Sequence, residues 1–160
     1  MVKVLFVCLG NICRSPTAEG VFTALIHREG LSDLVSIDSA GTGAWHVGEP
    51  PDRRAQAAAK TRGYDLSTQR ARQIKGTEFR DFDYGNAKDR QNVQELLKKA
   101  PNNAQDRIHM FLSFAPEKGI TDVPDPYYGG ADSFDHVLDL VEAASQGLLR
   151  DIRIRRGIGD

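Results

Sequence analysis

Among its 160 residues the chain has only two cysteines, Cys8 and Cys13, too few and too close together to staple a fold, so a disulfide-built scaffold is excluded. It also lacks an excess of charge: 21 basic and 22 acidic residues leave a formal net charge of −1. With no global field drawing it to nucleic acid or anionic lipid, any anion it binds must be gripped locally. Long apolar runs are missing; none approaches the length of a membrane span, and Met1 leads into a short strand-like stretch without a signal-peptide pattern. Neither nucleic acid nor a membrane is an expected partner, and a cytoplasmic protein is expected. The histidines His27, His46, His109 and His136 show no metal-ligand spacing and read as surface or packing residues; no cofactor is expected. There are no internal repeats and no linker that would divide the chain.

What is present suits one soluble domain. A chain of this length removes roughly 70% of its unfolded surface from water, and the hydrophobic fraction of 40% is ordinary. Lys3 to Val7 is a β-branched apolar run that ends in a glycine-containing turn, and from Pro16 apolar residues recur at helical spacing through Ala18, Val21, Phe22, Leu25 and Ile26. Ser15 reads as the N-cap, Pro16 as the first helical residue and Gly30 as the stop. The alternation continues with a strand at Val35 to Ile37, a helix from Arg53 to Arg62, a helix-like turn at Thr77 to Asp81 and a helix from Gln91 to Ala100. A strand at Ile108 to Phe114 and a long helix from Ser133 to Arg150 complete it, the latter striped by Phe134, Val137, Leu138, Val141, Ala144 and Leu148. Strands alternating with helices predict an α/β layer structure around a parallel sheet, with ligands bound beyond the carboxyl ends of the strands. One segment does not fit: Tyr84, Gly85, Asn86, Ala87, Lys88 and Asp89 stand where a buried strand is due, and read alone they form a turn.

The loop from Cys8 to Arg14 carries the chemistry. It sets a thiol directly after a strand and an arginine just before a helix, with Gly10 expected to permit a tight turn. Successive backbone amides can then face inward, and with the positive end of the helix dipole they form a nest of phosphate size that Arg14 can clamp in a planar, bidentate manner. Helix N-termini and nearby cations bring a cysteine from about 8.5 down to roughly 3.5 to 7.5, which readies a thiolate for attack. Ser15 could donate a hydrogen bond to that sulfur, and Asn11 could brace the loop. A cysteine and an arginine at this spacing arise by chance in isolation. Here the preceding strand, the glycine and the Ser-Pro helix start supply the context that the chemistry requires.

The run from Val4 to Glu19 (VLFVCLGNICRSPTAE) resembles the signature of the low-molecular-weight protein tyrosine phosphatases. So do Asp38-Ser39-Ala40-Gly41-Thr42, His46-Val47-Gly48-Glu49-Pro50, Leu66-Ser67 with Arg70-Ala71-Arg72, and Asp125-Pro126-Tyr127-Tyr128-Gly129, in order over nearly the whole chain. The resemblance implies a single-domain, three-layer α/β fold with a central four-stranded parallel sheet, helices on both faces and the phosphate-binding loop after the first strand. The domain would span residues 1–150, followed by a basic tail at 151–160. It implies a metal-independent hydrolase of phosphotyrosine in proteins that works through a cysteinyl-phosphate. Cys8 would be the nucleophile, Arg14 the clamp, and Asp125 the acid toward the leaving phenolate and then the base toward water. A carboxyl beside a bound dianion holds its proton more readily, which suits that role. Leu9, Gly10, Asn11, Ile12, Cys13, Ser15 and Ser39 would form or support the phosphate loop, and Trp45, Tyr127 and Tyr128 the aromatic walls of the cleft.

A branched Ile12 resembles the tyrosine phosphatases, whereas threonine there would look like the related protein arginine phosphatases. Cys13 would close a reversible disulfide with Cys8 and guard it from deeper oxidation. Expected partners are phosphotyrosine proteins and phosphate-like anions, with the protein a monomer or weak dimer. An arsenate reductase-like thiol enzyme and an inactive phosphate-binding module are the alternatives. The first normally relays a disulfide through further cysteines, and none follows Cys13.

The sequence departs from the family at two places. An aliphatic strand is usual where Gly85 to Lys88 stand, and a lysine or asparagine facing packed layers there costs several kcal/mol unless it is paired or reaches water. Gln69 stands near where many relatives carry a histidine that supports the loop asparagine, so the detail of loop support is open.

Overall fold

The computed structural model describes residues 1–126 and 129–159. Four parallel strands, β1 (Val2–Cys8), β2 (Val35–Gly41), β3 (Tyr84–Ala87) and β4 (Ile108–Met110), lie in the order β2-β1-β3-β4. Helices α1 (Arg14–Arg28), α2 (Arg53–Thr61), α3 (Arg90–Lys99) and α4 (Ala131–Arg156) complete the three layers. The period-two alternation of β1 divides the core. Val2, Val4 and Phe6 join α1 and α4 on one face, while Leu5 and Val7 join Phe79, Phe82 and Leu96 on the other. The expected α/β architecture is therefore present. The chain leaves β1 toward β2 but returns to its other side at β3, so the loop after β1 lies at the switch point where open α/β sheets bind ligands.

Several boundaries differ from the sequence reading. Helix α1 starts at Arg14 with Cys13 in the capping position, so Ser15 does not cap it, and its hydroxyl is used elsewhere. The apolar run after His109 is strand only to Met110, and Phe111–Phe114 coil into a 3-10 turn that seats Phe111 edge-on to Phe6 at 5.1 Å between ring centroids. Helix α4 continues beyond Arg150 to Arg156; Ile152 is fully buried, and Arg156 pairs with Asp83 at 2.8 Å.

The segment that reads alone as a turn is a strand. Tyr84–Ala87 hydrogen-bonds to β1 on one side and β4 on the other, so pairing with two neighbours overrides its poor strand propensity. Gly85 has a packing reason: a Cβ there would lie 2.7 Å from the ring of Phe82, which covers the sheet at that point. Asn86 and Lys88 are polar residues of this segment. Both are fully buried, and neither the Asn86 amide nor the Lys88 amine has a hydrogen-bond partner among the described residues.

Candidate active site

The loop after β1 is shaped by how its carbonyls are held. Those of Cys8, Leu9 and Ile12 accept from the amides of Thr42, Gly43 and Asp52 at 2.8–3.0 Å, which ties them outward to the segment after β2. Amides are then turned inward: those of Asn11 and Ser15 point to Cys8 Sγ at 3.3 and 3.5 Å. This is the anion nest, with the N-terminus of α1 behind it. The close approach requires Gly41, where a Cβ would meet the Leu9 carbonyl at 2.8 Å. The loop residue in the left-handed region is Asn11, with φ of 58°, and not Gly10. Asparagine tolerates that conformation better than most side chains, and here its amide is also used in full.

Asn11 Nδ2 donates to Ser15 Oγ at 2.8 Å and to Ser39 Oγ at 3.0 Å, and its Oδ1 accepts from the Arg72 amide at 2.9 Å. Ser39 passes its own proton to Glu19 at 2.6 Å, a carboxyl whose pKa burial raises against the opposing effect of that bond. Ser15 already accepts from Asn11, so its hydroxyl proton is available to Cys8 Sγ at 3.0 Å. Donation therefore runs outward from the Asn11 amide, through Ser39 to Glu19 on one side and through Ser15 to the thiol on the other. Gln69 is not part of this network: its amide donates to the Pro16 carbonyl at 3.0 Å, and its Oε1 has no hydrogen-bond partner among the described residues.

Arg14 is 4% exposed, and one of its nitrogens is spoken for. Nη1 donates to Asp89 at 2.7 Å and to the Val123 carbonyl at 2.9 Å, while Nη2 faces Asp125 at 3.7 Å. Asp89 also caps α3 by accepting from the Asn92 amide at 2.8 Å, so one carboxylate fixes both the helix and the arginine. A recess of about 300 Å³ opens here, lined by Cys8, Leu9, Gly10, Ile12, Cys13, Arg14, Trp45, His46 and Asp125. Trp45 is 72% exposed at its rim. Cys13 is buried with a free thiol, and burial, with Asp52, Cys8 and Asp125 adding to it, pushes its pKa far up. The proposed cleft residues Tyr127 and Tyr128 lie outside the described residues.

The structure therefore brings together Cys8, Arg14, Asp125, the loop residues and Trp45. Sequence reasoning missed Asp89, Glu19, the Val123 carbonyl and His46 as parts of the site. Asp89 could have been noticed as a carboxylate just before the helix that the sequence predicts from Gln91. The Val123 carbonyl carries no signal in a sequence.

A thiol, an arginine and a carboxylate gathered round an anion-sized recess beyond the first strand define the class: α/β proteins with a cysteine-headed phosphate loop. The model of the low molecular weight phosphotyrosine protein phosphatases matches residues 3–156, and the chain belongs to that family. It is 46% identical to a low molecular weight protein-tyrosine-phosphatase of Streptomyces coelicolor over 94% of this chain and 93% of that one. A protein tyrosine phosphatase from Entamoeba histolytica has a similar structure, with a TM-score of 0.92 and 39% identity over 98% of this chain and 99% of that one. The Drosophila arginine phosphatase also shares the fold, with a TM-score of 0.88 and 31% identity over 96% of this chain and 98% of that one. None of the described helices is long and apolar enough to cross a membrane.

Proposed function

We propose that the protein hydrolyses phosphotyrosine in proteins, and small aryl phosphates, through a cysteinyl-phosphate on Cys8. The observation that carries this reading is the convergence of Cys8, Arg14 and Asp125 on one recess. The phosphoryl group sits in the amide nest with Arg14 Nη2 on its oxygens, and Nη1 stays anchored to Asp89 and Val123. Cys8 Sγ attacks phosphorus, the ester P–O bond breaks, and Asp125 gives its proton to the departing phenolate. Asp125 then takes a proton from water, which attacks phosphorus; the S–P bond breaks and phosphate leaves. The thiolate released at each turnover is held by the Ser15 hydroxyl and the amides of Asn11 and Ser15.

Ile12 on the wall of the recess favours phosphotyrosine over phosphoarginine. Trp45 at the rim offers a flat apolar face to the phenyl ring. Peroxide would convert the Cys8 thiolate to a sulfenic acid, and Cys13 would displace water from it to form a disulfide that a dithiol reduces. This chemistry suits the cytoplasm, where thiols are kept reduced.

Steady-state hydrolysis of p-nitrophenyl phosphate by the wild type and by Cys8→Ser tests the reading. Turnover should vanish in the variant, and equal turnover in the two proteins would overturn it. A panel of phosphotyrosine, phosphoserine and phosphoarginine peptides then ranks the substrates, with phosphotyrosine expected first.

A further inference from the structure

Lys88 is fully buried directly behind the phosphate loop, and the mechanism above makes no use of it. Its backbone is held on both sides by the site: its amide donates to the Val7 carbonyl at 3.2 Å, and its carbonyl accepts from Val123, whose own carbonyl holds Arg14. The β1–β3 register pairs Phe6 with Asn86 and Val7 with Ala87, so one residue further on Lys88 falls beside Cys8, on the face that Phe6 occupies. The amine lies 3.6 Å from the ring centroid of Phe111 and 4.4 Å from that of Phe6, with no hydrogen-bond partner among the described residues. Two aromatic faces can hold an ammonium, but alone they do not replace its hydration.

Burial drives the amine toward its neutral form, the Cys8 thiolate opposes that, and the Arg14 guanidinium reinforces it. Asp89, the next carboxylate along the chain, is committed to Arg14. The balance at Lys88 is therefore set by how much negative charge the loop holds. Resting on the phosphate-site reading above, we propose that Lys88 is a positioning residue whose amine is neutral while the loop is empty and binds one proton from solvent when a phosphate dianion enters. The added cation acts through the back of the loop, outside the reach of substrate, and disappears again when phosphate leaves. Uptake of the proton strengthens anion binding and makes that binding pH-dependent.

The test is calorimetric titration of inorganic phosphate into the wild type and into Lys88→Met at neutral pH, each in two buffers of different ionisation enthalpy. This yields the protons taken up per phosphate bound. Every other titrating group is common to both proteins, so the wild type should take up more, by about one proton at full switching. A methionine that merely repaired packing would change the affinity and leave the proton count alone. Binding with equal uptake in the two proteins overturns the role of Lys88 and leaves the phosphate site standing; failure of phosphate to bind the wild type overturns both. If Lys88→Met does not fold, nitrogen NMR of the lysine side chains in the wild type decides the matter. One buried amine should move from its neutral to its ammonium shift on addition of phosphate, and an unchanged signal overturns the proposal.

Discussion

Replacing Lys88 by methionine should change not only the stability of the fold but its slope against pH. Burial holds the Lys88 amine well below the ordinary lysine range, whereas in the unfolded chain it titrates near 10.4. Between the folded and unfolded values the unfolded state holds one more proton, so the contribution of Lys88 to stability rises with pH by about 1.4 kcal/mol per unit. Read downward, the penalty begins to build below roughly pH 10.4 and becomes constant only below the depressed folded value. At pH 7 deprotonation costs at most about 4 to 5 kcal/mol, which would be a large share of the 5–15 kcal/mol typical of a domain. Methionine removes that cost and the unpaired nitrogen at similar length and volume.

The assay is urea unfolding at pH 7, 8 and 9 in phosphate-free buffer, comparing Cys8→Ser with Cys8→Ser carrying Lys88→Met so that thiol titration drops out. The methionine variant should be the more stable at pH 7, with its advantage shrinking by about 2.7 kcal/mol between pH 7 and pH 9. A difference that stays flat across this range would mean that Lys88 carries the same charge folded and unfolded, and would refute the reasoning.

Asp125→Ala should lower turnover by roughly 10²- to 10⁴-fold for aryl phosphates with poor leaving groups and much less for good ones; a uniform loss would argue against an acid role. Asp89→Asn keeps an acceptor for the α3 cap but removes the charge that anchors Arg14 Nη1. We expect kcat/KM for p-nitrophenyl phosphate to fall by about tenfold or more with melting little changed, since charge-assisted hydrogen bonds are worth about 1.5 to 3 kcal/mol; unchanged kinetics would show that Arg14 needs no such anchor. After brief peroxide treatment, dithiol should restore the wild type more fully than Cys13→Ser, and equal recovery would deny Cys13 a protective role.

How much of this was legible in the sequence depended on how local the cause was. The phosphate loop could be read because strand, loop and helix start occupy consecutive residues, so Cys8, Arg14 and the inward amides follow from short-range geometry. The sequence sets the start of α1 two residues late because Ser15, a good cap by type, spends its hydroxyl on Cys8 and Asn11. Strand β3 was hidden because Tyr84–Ala87 is made a strand by its two neighbours and by Phe82 lying over Gly85, and none of these adjoins it in sequence except the ring. The resemblance to relatives supplied what propensity denied. Partners such as Asp89 and Val123 for Arg14 lie 75 and 109 residues away, and no spacing rule reaches that far. Phe111–Phe114 looked like a strand because a short apolar run has no period of its own that separates strand from buried turn.

The central claim is that the phosphoryl group passes through Cys8, and rapid-quench mass spectrometry tests it most directly. Enzyme mixed with excess p-nitrophenyl phosphate, stopped in acid within one turnover and digested, should yield the peptide bearing Cys8 with one added phosphoryl group, and Cys8→Ser should yield none. Full wild-type turnover with no phosphate on Cys8 at any quench time would contradict the account.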